Sequence, residues 1–137
     1  MSRPKSREAA IKIVYENSFI DSDAKALIDT YYQACEENEL KSLDADFISD
    51  IVDGVINHKE ELDSLITDFT KEWTIDRMSK VDIAILRVAI YEMLYRPDIN
   101  PSVSINEAVE FAKKYSHEDA GSFINGILGG IYSAKCC

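Results

Sequence analysis

The sequence predicts an all-α protein: a compact bundle of about six to seven helices, in two packed sub-bundles, around one buried central helix. Three observations carry that expectation. Apolar residues recur at helical spacing in every readable segment, and nowhere do they alternate as in a half-buried strand. One stretch, residues 81–95, contains neither Gly nor Pro and is apolar on nearly every side. Hydrophobic residues make up 46% of 137 residues, enough to fill the core of a single domain spanning 1–137.

The central stretch reads Val81-Asp82-Ile83-Ala84-Ile85-Leu86-Arg87-Val88-Ala89-Ile90-Tyr91-Glu92-Met93-Leu94-Tyr95. Ser79 is placed to cap it, and Pro97 stops it by pushing the preceding residue out of the α region. At about 100° per residue, Asp82, Arg87 and Glu92 stand roughly 140° from one another, so they share no face. Such a helix is walled in by others. Its charges then need partners or a route to the rim, because an unpaired buried charge costs several kcal/mol.

Taken in order, residues 1–6 read as a flexible basic arm. A first helix from about Lys5 to Phe19 follows, with Ile11, Val14, Tyr15 and Phe19 on one stripe. Asp21-Ser22-Asp23 breaks the chain and caps a second helix, about Asp23 to Glu37, carrying Leu27, Ile28, Tyr31 and Tyr32. Ser42 or Asp44 opens a third, whose buried stripe is Phe47, Ile48, Ile51, Val52 and Val55. That pattern pauses at Asn57-His58 and resumes through Leu62, Leu65, Ile66 and Phe69. Residues 73–79 form a connector with room for one helical turn. After the central helix and a Pro-containing loop, Ser104-Ile105-Asn106-Glu107 has the form of a capping box, with Ile105, Ala108, Val109 and Ala112 as the stripe behind it. The last helix runs from about Glu118 to Tyr132. Gly126 inside it suggests close approach to a neighbouring backbone, Gly129-Gly130 ends it early, and residues 133–137 form a frayed tail.

Chemistry is scarce. The five glycines make neither a dinucleotide fingerprint nor a phosphate loop, and His58 and His117 stand far apart without a metal-binding or catalytic pattern. Cys35 and the pair Cys136-Cys137 make neither a disulfide framework nor a metal site. No enzyme, cofactor or metal is expected. No apolar run approaches the ~20 residues of a membrane span, no secretory signal is visible, and a cytoplasmic protein is the expectation. The net charge of −10 opposes broad nucleic-acid binding, yet Arg3, Lys5, Arg7 and Lys12 gather positive charge at the start of the chain.

Three stretches in register resemble the NusB family of bacterial transcription antitermination factors. They are the central Val81–Glu92 segment, Val103-Ser104-Ile105-Asn106-Glu107-Ala108-Val109-Glu110-Phe111-Ala112-Lys113, and Phe123-Ile124-Asn125-Gly126-Ile127-Leu128. The basic arm leading into a Tyr15-bearing first helix agrees as well. The resemblance implies a protein that pairs with NusE, a small-subunit ribosomal protein. It further implies binding of boxA RNA and a place in an RNA polymerase elongation complex that reads through ribosomal RNA operons. Family members occur as monomers and as dimers, so a homodimer stays open. Carried over position by position, Arg3, Lys5 and Arg7 become phosphate contacts, Tyr15 an RNA-side ring, Asp119 and Phe123 the RNA side of the last helix, and Asp82 part of the NusE-facing surface. Lys12 extends the cationic track by spacing. On spacing alone, Tyr15 and Phe123 serve equally well in the core, and Asp82 as a plain first-turn charge.

The arm is sparser than the family's arginine cluster and is interrupted by Pro4. With three or four phosphates neutralised, the log–log salt slope on single-stranded RNA is expected to be roughly −2 to −3. Weak binding alone, strengthened by NusE, is therefore expected. The rival reading is a helical interaction or dimerisation module with no RNA role.

Overall fold

The computed structural model describes residues 1–70 and 75–136. The expectations for Trp73, Thr74 and Cys137 lie outside the described residues. Among the described residues eight α-helices follow one another: α1 (Arg3–Asn17), α2 (Ala24–Ala34), α3 (Glu37–Lys41), α4 (Ala45–Asn57), α5 (Lys59–Phe69), α6 (Lys80–Tyr95), α7 (Pro101–Tyr115) and α8 (Ala120–Ile131). A 3-10 turn at Ile75–Arg77 precedes α6, and a π-helical turn at Tyr132–Cys136 follows α8. No strand occurs among the described residues.

Helix α6 is the axis. Every residue from Asp82 to Met93 is buried, and the helix packs against α1, α4, α5, α7 and α8. Helices α1, α2 and α4 pack on one another, as do α7 and α8, and α6 joins the two groups. The three charges spaced around α6 each meet a different neighbour, as their angular separation requires. Asp82 accepts hydrogen bonds from Ser116 Oγ at 2.7 Å and has His117 Nε2 at 3.3 Å, both just past α7. Arg87 donates two 2.8 Å bonds to Asp63 on α5. Glu92, with no exposed surface, takes 2.7 Å from Arg7 Nε on α1 and 2.8 Å from Ser104 Oγ on α7. Bidentate or doubly bonded geometry of this kind is what makes a buried charge tolerable.

Local signals fix most helix starts. The side chains of Ser2, Asp23, Asp44 and Ser79 accept from the backbone N–H three residues on, capping α1, α2, α4 and α6. Several expectations are corrected. Helix α7 begins at Pro101 with Asn100 as its cap, because proline suits the first helical position; Ser104 and Glu107 then lie inside it and reach Glu92 and Arg7. Residues 3–6 belong to α1 and are not a loose arm. Gly129-Gly130 does not end α8, and residues 133–136 continue as the π-helical turn, with Cys136 Sγ 3.9 Å from Met93 O. A Cβ at Gly126 would meet nothing within 4 Å; the close approach is at Gly54, where a Cβ would fall 2.1 Å from the Tyr91 ring. The second segment also divides, since α3 follows α2 after a break at Cys35-Glu36.

Candidate nucleic-acid interface

Helices α1 and α7 both pack on α6 and meet through Glu8 and Tyr115, and their side chains line two adjoining hollows. The first, about 410 Å³, is lined by Pro4, Lys5, Arg7, Glu8 and Ile11 from α1 and by Glu107, Glu110, Phe111, Lys113 and Lys114 from α7. The second, about 210 Å³, shares Ile11 and Phe111 with it and adds Lys12, Tyr15, Val81, Ala84 and Tyr115. Together they make a strip lined by lysines and aromatic rings. Phe111 packs on Tyr115 with ring centroids 4.5 Å apart. Lys12 Nζ sits 5.3 Å, and Lys114 Nζ 5.0 Å, from the Tyr115 centroid, within cation–π range. Tyr15 meets the edge of Phe19 at 5.1 Å.

Phe19 was expected on the apolar stripe of α1. It is 58% exposed instead, because α1 ends at Asn17 and the chain turns away; Lys80 Nζ lies 5.7 Å from its ring. A third hollow, about 310 Å³, lies at the N-terminal end of α6. Arg77, Met78, Ser79, Asp82, His117, Asp119 and Phe123 line it.

The sequence-nominated residues therefore fall into separate places. Lys5, Lys12 and Tyr15 share the α1–α7 strip, with Lys5 exposed and Lys12 and Tyr15 half-buried. Asp82, Asp119 and Phe123 share the third hollow; Asp119 is exposed and Phe123 half-buried. Asp82 itself is buried and hydrogen-bonded to the Ser116–His117 turn, so it holds the end of α7 instead of standing at the rim. Arg3 is exposed but lies over the Phe47 ring at 4.3 Å, on the α4 side of the helix. Arg7 is only 4% exposed and is ion-paired to Glu92. Arg7 thus seats α1 on α6, withdrawn from the surface on which a phosphate contact was expected.

Sequence reading passed over Lys113, Lys114, Phe111 and Tyr115. The signal was present, since Ala108 and Ala112 bury the opposite side of α7 and so turn its last residues outward. Charge there is mixed. Glu8 accepts from Tyr115 Oη at 2.8 Å and pairs with Lys12 at 3.0 Å, and Glu110 pairs with Lys113 at 3.4 Å. Burial alone would raise the Glu8 carboxyl, but the Tyr115 and Lys12 hydrogen bonds and the charges of Lys12 and Lys114 outweigh it and hold the group below its ordinary value.

A wrapped central helix with three charges answered on three sides, and a lysine–aromatic strip across two outer helices, define a helical binding domain without a visible catalytic centre among the described residues. A sequence model of the NusB family matches residues 4–133. The transcription antitermination protein NusB of Acetivibrio thermocellus is 47% identical over 135 residues, covering 98% of this chain and 91% of that protein. Among solved structures, T. maritima NusB superposes with a TM-score of 0.84 at 30% identity, covering 97% of this chain and 92% of that one. The antitermination factor NusB in a complex of NusB and NusE with double-stranded RNA superposes with a TM-score of 0.79 at 27% identity, covering 96% of each chain. The chain belongs to the NusB family.

Proposed function

We propose that this protein is a transcription antitermination factor that binds boxA-type RNA together with NusE, as part of an RNA polymerase elongation complex acting on ribosomal RNA operons. The observation that carries the reading is the α1–α7 strip. Lys5, Lys12, Lys113 and Lys114 offer ammonium groups to a phosphate backbone, while Tyr15, Phe111 and Tyr115 offer rings on which unstacked bases can rest. Single-stranded RNA is recognised by that combination of charge and stacking. The family's antitermination name and the NusE–RNA complex of a relative support the same reading.

Arg3, exposed at the start of α1, is a further phosphate contact, and Asp119 and Phe123 extend the RNA path to the N-terminal end of α6. The net charge of −10 makes NusE, a ribosomal protein, the natural supplier of additional positive charge. No described helix is long and apolar enough to cross a membrane, and action in the cytoplasm beside the polymerase is part of the proposal.

The test is gel filtration of the full chain with NusE and a boxA-type RNA, alongside anisotropy across a salt series. Co-elution of all three is expected, with binding by this chain alone weak. Lys5→Ala/Lys114→Ala should lower affinity and flatten the log–log salt slope by between about 0.7 and 1.4, the full 0.7 coming from Lys5 and less from Lys114, whose charge Glu8 partly answers. NusE capture with no RNA retained, and no change in the double variant, would favour a protein-interaction module instead.

A further inference from the structure

The α1–α7 strip has an acid at its centre. Glu8 sits on α1 between Lys5 and Lys12, and its carboxylate gathers three groups from two helices. Lys12 Nζ lies 3.0 Å from Oε1, Tyr115 Oη donates to Oε1 at 2.8 Å, and Lys114 Nζ lies 4.0 Å from Oε2. All four side chains line the two adjoining hollows, where Glu8 and Lys114 belong to the larger and Lys12 and Tyr115 to the smaller. Three donors converging on one anion from different directions, beside a stacking surface, are the equipment of a phosphate seat. Here the seat already holds an anion.

We infer that the Glu8 carboxylate is an internal stand-in for an RNA phosphate, which an incoming strand must displace to engage Lys12, Lys114 and Tyr115. The inference rests on the RNA reading above and adds how that site is restrained. A carboxylate carries the same sign and accepts the same hydrogen bonds as a phosphate oxygen, so it competes for the donors directly. Two ammonium groups partly neutralised by Glu8 release fewer counterions on binding, which weakens the electrostatic part of affinity. The carboxylate is only partly buried, so it can swing to solvent when displaced. The acid also discriminates. A strand whose path places a phosphate at Tyr115 together with a base on the neighbouring rings can pay back the displacement, whereas a loosely tracking polyanion cannot. The other acids facing the groove are engaged elsewhere: Glu107 lies 3.5 Å from Arg7 Nη1 and Glu110 pairs with Lys113.

The experiment is anisotropy of a labelled boxA-type RNA with the full chain in the presence of NusE, at several salt concentrations. It compares wild type, Glu8→Gln, Lys12→Ala and the double variant. Glu8→Gln is expected to tighten binding about three- to tenfold and to steepen the log–log salt slope by about 0.7 for each lysine released. It should also raise the affinity for an unrelated single strand by more, eroding discrimination. Lys12→Ala should lower affinity more in the Glu8→Gln background than in wild type. Unchanged or weaker binding by Glu8→Gln, or strictly additive effects in the cycle, would overturn the inference and leave Glu8 as an organiser of the lysines. Failure of the wild type to bind RNA at all, with NusE present, would instead defeat the RNA reading itself.

Discussion

Arg7 and Glu92 set the seat of α1 on the central helix. The Nε–Oε2 distance is 2.7 Å, both side chains are out of solvent, and Ser104 Oγ satisfies the second oxygen of Glu92. A pair so enclosed adds little net stability over an apolar pair of the same shape, but removing one partner strands the other charge. Arg7→Met should therefore lower unfolding stability by about 3–5 kcal/mol. The double variant Arg7→Met/Glu92→Leu should recover most of that loss, as read from urea denaturation of both. A loss below about 1 kcal/mol in the single variant would show that the pair does not hold the helix. The same residue shows where sequence reasoning reached its limit. Arg3, Lys5 and Arg7 look alike in a row of letters, and only the position of Glu92, 85 residues on, selects Arg7 for the interior.

Between elements, α4 and α6 meet most tightly at Gly54 and Tyr91. The ring lies where a side chain at Gly54 would begin, and Tyr91 Oη donates to Asp50 one turn back on α4 at 3.1 Å. Gly54→Ala should push the ring aside and destabilise by about 1–3 kcal/mol as an overpacked contact. Gly126→Ala, exposed and unobstructed on α8, should stabilise by up to about 1 kcal/mol through helix propensity. Thermal melts of the two variants moving in opposite directions would confirm the placement; equal shifts would contradict it. Period 3.6 patterning and Ser or Asp caps made the helices themselves legible. What patterning could not rank was competition between local signals. Asn100-Pro101 overrode the Ser104–Glu107 capping box because the fold needed both of those side chains at Glu92 and Arg7. Glycine contacts were equally hidden, since the reason for Gly54 is a tyrosine on another helix.

Across the whole molecule, an acidic body brings several of its lysines together where α1 meets α7. Against 25 Asp and Glu there are 15 Lys and Arg, and lysines of α1 and α7 line the same two hollows as Tyr15, Phe111 and Tyr115. Long-range repulsion then disfavours indiscriminate RNA binding, while short-range contacts reward a strand that fits. The α1 half of this face was readable from the sequence as a basic start followed by Tyr15. The α7 half was not, because Lys113, Lys114 and Tyr115 become neighbours of α1 only after both helices pack on α6. The central claim, that RNA lies along the α1–α7 strip, is tested most directly by photo-crosslinking a uridine-containing boxA-type RNA to the full chain bound to NusE, followed by mapping of the modified peptides. Adducts are predicted on Lys12 and Tyr15 of α1 and on Phe111 and Tyr115 of α7. Adducts confined to α2 through α5 would contradict it.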